Sequence, residues 1–275
     1  MGTIDRMADS SDISAAGTPP KPIERFSGRA EAYLRGRPRY PQNLIPFLSE
    51  KLGLSPAHVI ADVGSGTGFL TEPFLANGNV VYAIEPNAAM RGAAETWLGK
   101  YPNFRSIDAT AEATTLADNG VDFITAGQAF HWFEPTVTRR EFVRILRRSS
   151  SNGGMVILVW NERRRDDPFA IEYQELVDRH SLDEPAARAR VDAVEPASIH
   201  AFFAPSSSEL ASLPNHQDLD AQGLIDRLLS ISHMPGPDHP LQDRLIEAAI
   251  DLFRKHAQND RVRMNYNTNI FYGRL

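Results

Sequence analysis

Apolar residues along this chain come in two rhythms. Between His58 and Trp160, five short apolar runs are separated by stretches of helical period. The runs His58 to Val63 (HVIADV), Val80 to Glu85 (VVYAIE), Phe104 to Ile107, Val121 to Ala126 (VDFITA) and Met155 to Trp160 (MVILVW) predict strands. Around them, Leu44, Ile45, Phe47, Leu48 and Leu52 share one helical face, with Pro41 placed for a first helical position and Gly53 for a stop. Phe69 to Asn77, Asn87 to Gly99 and Val137 to Leu146 read as further helices, and Asn87 suits an N-cap. Short buried strands interleaved with helices predict a parallel sheet covered on both faces.

The second rhythm begins near Asn161. Pro168 to His180, Pro185 to Phe203, Leu224 to Ser232 and Leu241 to His256 have helical patterns. Glu209 to Asp220 reads as a strand, and Pro214 within it predicts an edge position. Arg261 to Tyr272 alternates as a closing strand should. Residues 1–22 hold almost no large apolar side chain and read as a mobile tail. The expected organisation is one α/β domain over 23–275, with helical cover insertions at about 161–208 and 221–257.

Charge and composition narrow the function. The 275 residues carry 29 basic and 35 acidic side chains, a net charge of −6, which argues against broad binding to nucleic acid or anionic membrane. No apolar run approaches the ~20 residues of a membrane helix. Met1 to Pro20 lacks a basic region followed by an apolar one, so no secretory signal is expected. The absence of cysteine excludes disulfides, thiolate metal sites and cysteine nucleophiles. The expectation is a cytoplasmic protein, with monomer and homodimer both open.

The chemistry concentrates at Asp62-Val63-Gly64-Ser65-Gly66-Thr67-Gly68, between a strand and a helix. Glycines at 64 and 66 permit a sharp turn and close approach of a ligand. Glu85 ends the next strand, where an acid can accept two ribose hydroxyl protons. These features predict a site for an adenosine-containing ligand at the carboxyl edge of the sheet. The spacing G-x-G-x-G departs from the dinucleotide G-x-G-x-x-G, because Phe69 stands where the third glycine would fall. Asp62 would repel a pyrophosphate and attract an ammonium group. Both features favour S-adenosylmethionine over NAD.

At these residues the sequence resembles the class I S-adenosylmethionine-dependent methyltransferases, from about Phe26 to Glu162. ADVGSGTGFLTEPF is similar to their first motif, AIEPNAAM to their second, IDATAEATTL to their adenine-contacting segment, and VDFITAGQAFHWF and GGMVILVWNE to the strands that follow. With YLRGRPRYP ahead of the core, the likeness is to the small-molecule branch that includes trans-aconitate-type enzymes; a protein acceptor, or cofactor binding without methyl transfer, stays open as an alternative. The resemblance implies a Rossmann-like fold: a seven-stranded, mostly parallel sheet with an antiparallel closing strand, plus a helical cover.

It also implies a role for each matching residue. The turn Gly64, Ser65, Gly66 would hold the methionine end of the cofactor, with Asp62 near its ammonium and Glu85 on the ribose. Pro86, Asn87 and Met90 would pack near the adenosine, and Ala111 and Glu112 would lie at the adenine edge. Gln128 and Ala129 would sit beside the sulfonium, and Tyr33 and Arg37 would cap the pocket. Thr110 stands where many members carry Asp, which shifts adenine recognition to Glu112, Asp108 or backbone groups.

Two roles stay open for His131: a base or substrate contact at the methyl-transfer point, or packing among Phe130, Trp132 and Phe133. Trp132, Trp160 and Asn161 are placed for a substrate wall. Arg139, Arg140, Arg144, Arg147 and Arg148 read as a solvated helix face. Arg163 to Arg165 follow a strand end, where either a substrate carboxylate or Asp166 and Asp167 could pair with them. His200, His216, His233 and His239 show no metal-ligand spacing.

Overall fold

The computed structural model describes residues 34–147, 154–183 and 196–275. The tail expected at 1–22, Tyr33, Arg148 and the first half of the helix expected from Pro185 lie outside the described residues. Seven strands form one sheet: β1 (Val59–Val63), β2 (Val80–Ile84), β3 (Phe104–Ile107), β4 (Phe123–Gly127), β5 (Met155–Arg163), β6 (Ser208–Leu219) and β7 (Val262–Arg274). Their order is β3-β2-β1-β4-β5-β7-β6. The first five are mutually parallel, and β7 runs antiparallel to both of its neighbours. Pro214 therefore sits on the edge strand, where its missing N–H costs the ladder nothing on the outer side.

Alternation along β5 shows how the sheet divides the core. Val156, Leu158 and Trp160 join one buried cluster with Phe142, Ile145, Phe202 and Phe203. Ile157 and Val159 join another with Leu44, Leu48, Phe74 and Leu98. Successive side chains point to opposite faces, so a continuous apolar run must be covered twice. The covering helices are α1 (Leu44–Leu52), α2 (Thr71–Ala76) and α3 (Ala88–Leu98) on one face. On the other lie α4 (Pro135–Ile145) and α6 (Pro196–Phe203). A third cluster unites α5 (Pro168–His180), α7 (Ala221–Leu229) and α8 (Gln242–His256) with Val262, Met264 and Tyr266 of β7.

Helix ends follow local chemistry. Gly53 closes α1 in the left-handed conformation at φ 68°, and Asn87 caps α3 by accepting from the Met90 N–H. Asp167 caps α5 and Asp220 caps α7 in the same manner. Pro41 does not begin α1: its carbonyl accepts from the Leu44 N–H in a turn ahead of the helix. The arginines of α4 differ from the expected solvated face. Arg139 donates to the Phe202 and Ala204 carbonyls at the end of α6, and Arg144 bridges Glu141, Asp118 and the Leu116 carbonyl. Just past α4, Arg147 pairs with buried Asp122 at 2.7 Å. These side chains staple loops to the sheet.

Candidate active site

Strand order reverses direction between β1 and β4, and in such sheets the crevice beyond the carboxyl ends at that point receives ligands. Here it holds a cavity of about 360 Å³, within the range of small-molecule sites. The chain leaves β1 through Gly64, whose N–H donates with that of Ser65 to the Ile84 carbonyl. Gly64 has φ +67°, and a Cβ there would meet the Ala129 Cβ at 2.6 Å, so this position requires glycine twice over. Gly66 has φ +56°, and a Cβ there would enter open space. Behind the turn, the Trp97 indole donates to the Thr67 carbonyl at 2.8 Å, and Arg39 stacks over Phe69 and Trp97.

Glu85 leaves β2 and locks the turn. One carboxylate oxygen accepts the Gly66 N–H and the other the Asn87 N–H, each at 2.8 Å. Burial raises its pKa, and these two N–H donors oppose the rise. Each oxygen keeps a lone pair for a further donor. Asp62, fully buried near the end of β1, accepts from the Thr71 hydroxyl at 2.6 Å and the Thr125 hydroxyl at 2.9 Å. Burial pushes its pKa up to about 7, and the nearby Glu85 charge adds to the rise. No cation pairs with Asp62 among the described residues. A buried carboxyl held by two hydroxyls at the cavity wall is suited to receive an ammonium ion.

The wall of this cavity brings together most of the sequence-predicted residues. Asp62, Gly64, Ser65, Gly66 and Glu85 line it, and so do Pro86, Asn87 and Met90. Ala111, Glu112 and Thr110 form another part, and Gln128, Ala129, Trp132, Asn161 and Arg37 complete the set. Glu112 also accepts the Glu134 N–H, which ties its segment to the loop before α4. Asp108 stands away from the cavity, exposed and paired with Arg91 at 3.0 Å. Gln128 adopts φ +56° as β4 ends, and its side chain donates to the Asn161 carbonyl. A side-chain-bearing residue held in the left-handed region often marks a functional turn.

Two predicted residues are placed elsewhere. His131 lies in a single 3₁₀ turn (Phe130–Trp132) against Trp132, with ring centroids 4.7 Å apart, and is not part of the cavity wall. Trp160 is buried in the core, edge-on to Phe130 and Phe271, because its alternation along β5 points it to the helix-covered face. Asn161, one position on, faces the other way. Its carboxamide oxygen accepts from Thr268 and Asn215, and its nitrogen donates to the Arg39 carbonyl.

The structure adds wall residues that the sequence did not indicate: Pro38 and Tyr40, Phe69 and Leu70, and Arg227 of α7. Tyr40 has a trace in the sequence. Its hydroxyl occupies the space that a Cβ on Gly127 would fill, so a glycine ending a buried strand was the available signal. The segment 34–40 crosses the cavity mouth as a strap. Arg35 pairs with Asp226, Arg37 donates to the Ser230 carbonyl, and Gln217 donates to the Gly36 carbonyl. Among the described residues no group of three histidines or acids could hold a metal ion, and no helix is long and apolar enough to cross a membrane.

Comparison with known proteins gives the same direction. Residues 61–158 match the methyltransferase domain family. The chain is 30% identical over 231 residues to an uncharacterized methyltransferase of Mycobacterium tuberculosis, covering 84% of this chain and 86% of that one. An uncharacterized methyltransferase of Schizosaccharomyces pombe is 27% identical over 148 residues, 54% of this chain and 56% of its own. Among solved structures, one named a type II methyltransferase, from Anaeromyxobacter dehalogenans, superposes with TM-score 0.62 at 22% identity, covering 86% of this chain and 97% of its own. Another, from Anabaena variabilis, gives 0.60 at 18% identity, with 88% and 99% covered. At those identities the structural likeness is one of fold.

Proposed function

From the premise that this chain belongs to the class I S-adenosylmethionine-dependent methyltransferases, we propose that it binds this cofactor at the glycine turn and methylates a small molecule. The observation that carries the reading is the placement of Asp62, Gly66 and Glu85 in the wall of one small cavity. Asp62 would receive the ammonium of the methionine end, and the turn Gly64, Ser65, Gly66 would let its backbone approach. Glu85 would accept the ribose hydroxyls on the lone pairs its N–H donors leave. Pro86 and Met90 would pack on the adenosine, and Ala111 and Glu112 would meet the adenine edge. Gln128 and Ala129 would border the reacting centre, and Arg37 would close the mouth.

When bound, S-adenosylmethionine supplies an electrophilic methyl group with a neutral thioether as leaving group. The protein's part is then chiefly positioning, which can remove ~7–11 kcal/mol from a barrier. The turn, Glu85 and Gln128 are fixed by backbone hydrogen bonds, so they fix what they hold. Trp132 and Asn161 would form the acceptor's side of the wall. His131, behind Trp132, would act only on an acceptor that must lose a proton. The small cavity volume and the strap over its mouth favour a small acceptor over a protein side chain.

Calorimetric titration with S-adenosylhomocysteine, beside a parallel titration with NAD, tests the cofactor. Saturable binding of the first and none of the second is expected. Binding of NAD alone would overturn the assignment. Methyl-labelled cofactor incubated with a metabolite extract, and separately with its protein fraction, tests the acceptor class. Label confined to protein would overturn the small-molecule reading.

A further inference from the structure

The strap ends in Arg37-Pro38-Arg39-Tyr40-Pro41, and its two prolines disfavour the helical region for the residues ahead of them. Arg37, Pro38 and Tyr40 line the cavity, whereas Arg39 does not. The Arg39 guanidinium lies instead over the ring of Phe69, 4.0 Å from its centroid, and over that of Trp97 at 4.7 Å. The two rings meet edge-on, 6.2 Å apart. Both support the glycine turn: Phe69 follows Gly68 directly, and Trp97 donates to the Thr67 carbonyl. Glu72 adds an attractive charge nearby.

The backbone of the same residue is held from another side. The Arg39 carbonyl accepts from the Asn215 carboxamide at 2.8 Å and from that of Asn161 at 3.3 Å. Asn215 also donates to Asn161 at 3.1 Å, the Thr268 hydroxyl donates to Asn161 at 2.6 Å, and Gln128 donates to the Asn161 carbonyl. One position further on, the Tyr40 hydroxyl fills the notch that Gly127 leaves at the end of β4. Arg39 therefore joins the packing behind the glycine turn, through its side chain, to β5 and β6, through its carbonyl.

We propose that Arg39 is a positioning residue for methyl transfer: it latches the strap to the back of the glycine turn, and so holds the cofactor between them without touching it. This rests on the cavity being the cofactor site. Pro38 and Tyr40 face that cavity, so a ligand seated on the turn leaves when the strap lifts. Stacking a guanidinium on aromatic faces is a modest attraction at an exposed position, and Arg39 is exposed. Its loss loosens one end of the strap only, because Arg35, Gly36 and Arg37 keep their own ties to Asp226, Gln217 and Ser230. The latch therefore governs how fast the ligand departs, with little effect on the stability of the fold. A flat guanidinium suits the two rings, whereas an ammonium supplies the charge without the plane.

The test is stopped-flow measurement of S-adenosylhomocysteine release, read by fluorescence of Trp132 in the cavity wall. The proteins compared are wild type, Arg39→Ala, Arg39→Lys, Trp97→Leu and the double variant Arg39→Ala/Trp97→Leu. Arg39→Ala is expected to release the ligand about fivefold faster, while the unliganded protein melts within about 2 °C of wild type. Arg39→Lys should fall between the two. On the Trp97→Leu background the same Arg39→Ala change should accelerate release only about twofold, because part of what the guanidinium held is already gone. Release from Arg39→Ala at the wild-type rate, with or without a lower melting temperature, would overturn the proposal. So would a fivefold effect that persists undiminished beside Trp97→Leu. Should Trp97→Leu fail to fold, Arg39→Lys decides: full rescue would mean that charge alone matters and that the rings do not form the latch. A wild type that binds no S-adenosylhomocysteine would instead overturn the cofactor assignment on which the proposal rests.

Discussion

Two sets of charged side chains line the same cavity, and they are built differently. Asp62 and Glu85 come from the ends of adjacent parallel strands, and each is held by hydroxyl or backbone donors from β4, the glycine turn and the starts of α2 and α3. Arg37, Arg163 and Arg227 come from a strap, the far end of β5 and a helix in the third cluster, and meet one another through Ser230, Tyr173 and Tyr266. The acids sit at the ends of interior strands, each held by two donors, so a ligand meets them in a fixed position. Arg37 and Arg227 sit on elements that pack on the sheet's end, whereas Arg163 ends β5 itself. One cavity can therefore keep a fixed cofactor site while its acceptor side is set by other parts of the chain.

Gly66→Val gives the largest expected separation of the two sets. The side chain would enter open space at the wall and block the turn, weakening S-adenosylhomocysteine by more than about a hundredfold, or ~3 kcal/mol. Holding a non-glycine residue at that φ costs roughly 1–2 kcal/mol, so the melting temperature should fall by only a few degrees. Calorimetry and a thermal melt on one sample check both.

Glu85→Ala comes next. It removes the acceptor of two backbone N–H groups as well as the ribose contact, and affinity should fall about tenfold or more. Titration with S-adenosylhomocysteine checks it, and unchanged affinity would mean that the ribose lies elsewhere.

Asp62 makes the acid set sensitive to pH. Its folded pKa of about 7 exceeds its unfolded value, so between pH 4 and 7 the native state binds more protons than the unfolded one. The stability this group confers is therefore present at low pH and lost as pH rises through 7. Affinity for an ammonium-bearing ligand runs the other way and should increase about tenfold from pH 6 to pH 8. Asp62→Asn should flatten both curves, giving an unliganded protein that melts higher at pH 8 but binds S-adenosylhomocysteine more weakly there. Melting curves and titrations across that range decide it.

His131→Ala is expected to have the smallest effect on binding, within about twofold, since the ring is not part of the wall. A fall in kcat with unchanged cofactor affinity would show that the acceptor must be deprotonated.

Legibility in the sequence divides along the same line as the comparison. The sheet and the acid set are encoded by neighbours: the run ADVGSGTG fixes strand, turn and helix start together, and Glu85 follows one strand later. Arg227 gave no signal, because a basic residue within an amphipathic helix ordinarily reads as solvent-facing. What buries it are Ser230, Tyr266 and a strap nearly two hundred residues away, and no local pattern reports such a meeting. Trp160 was placed by its nearness to the strand end, whereas the period of two along β5 decides its face and sends it into the core. Arg163 shows the converse: its position after a strand end was informative, but Asp166 took Arg164 and left Arg163 to turn inward.

The position of β7 has a consequence for how the molecule assembles. Among the described strands β6 pairs with β7 alone, and β7 reaches β5 across a connection of about a hundred residues that contains β6 and α5, α6, α7 and α8. Strands β1 to β5 can zip together in chain order, but that connection must be closed before the β6–β7 pair can join them. Docking of β7 is then the natural slow step, and it also brings Tyr266 to Arg227. A half-assembled chain would carry a complete glycine turn while the cavity wall at Arg227 is unfinished, so a ligand held by the turn alone should bind earlier in refolding than one that needs the whole wall.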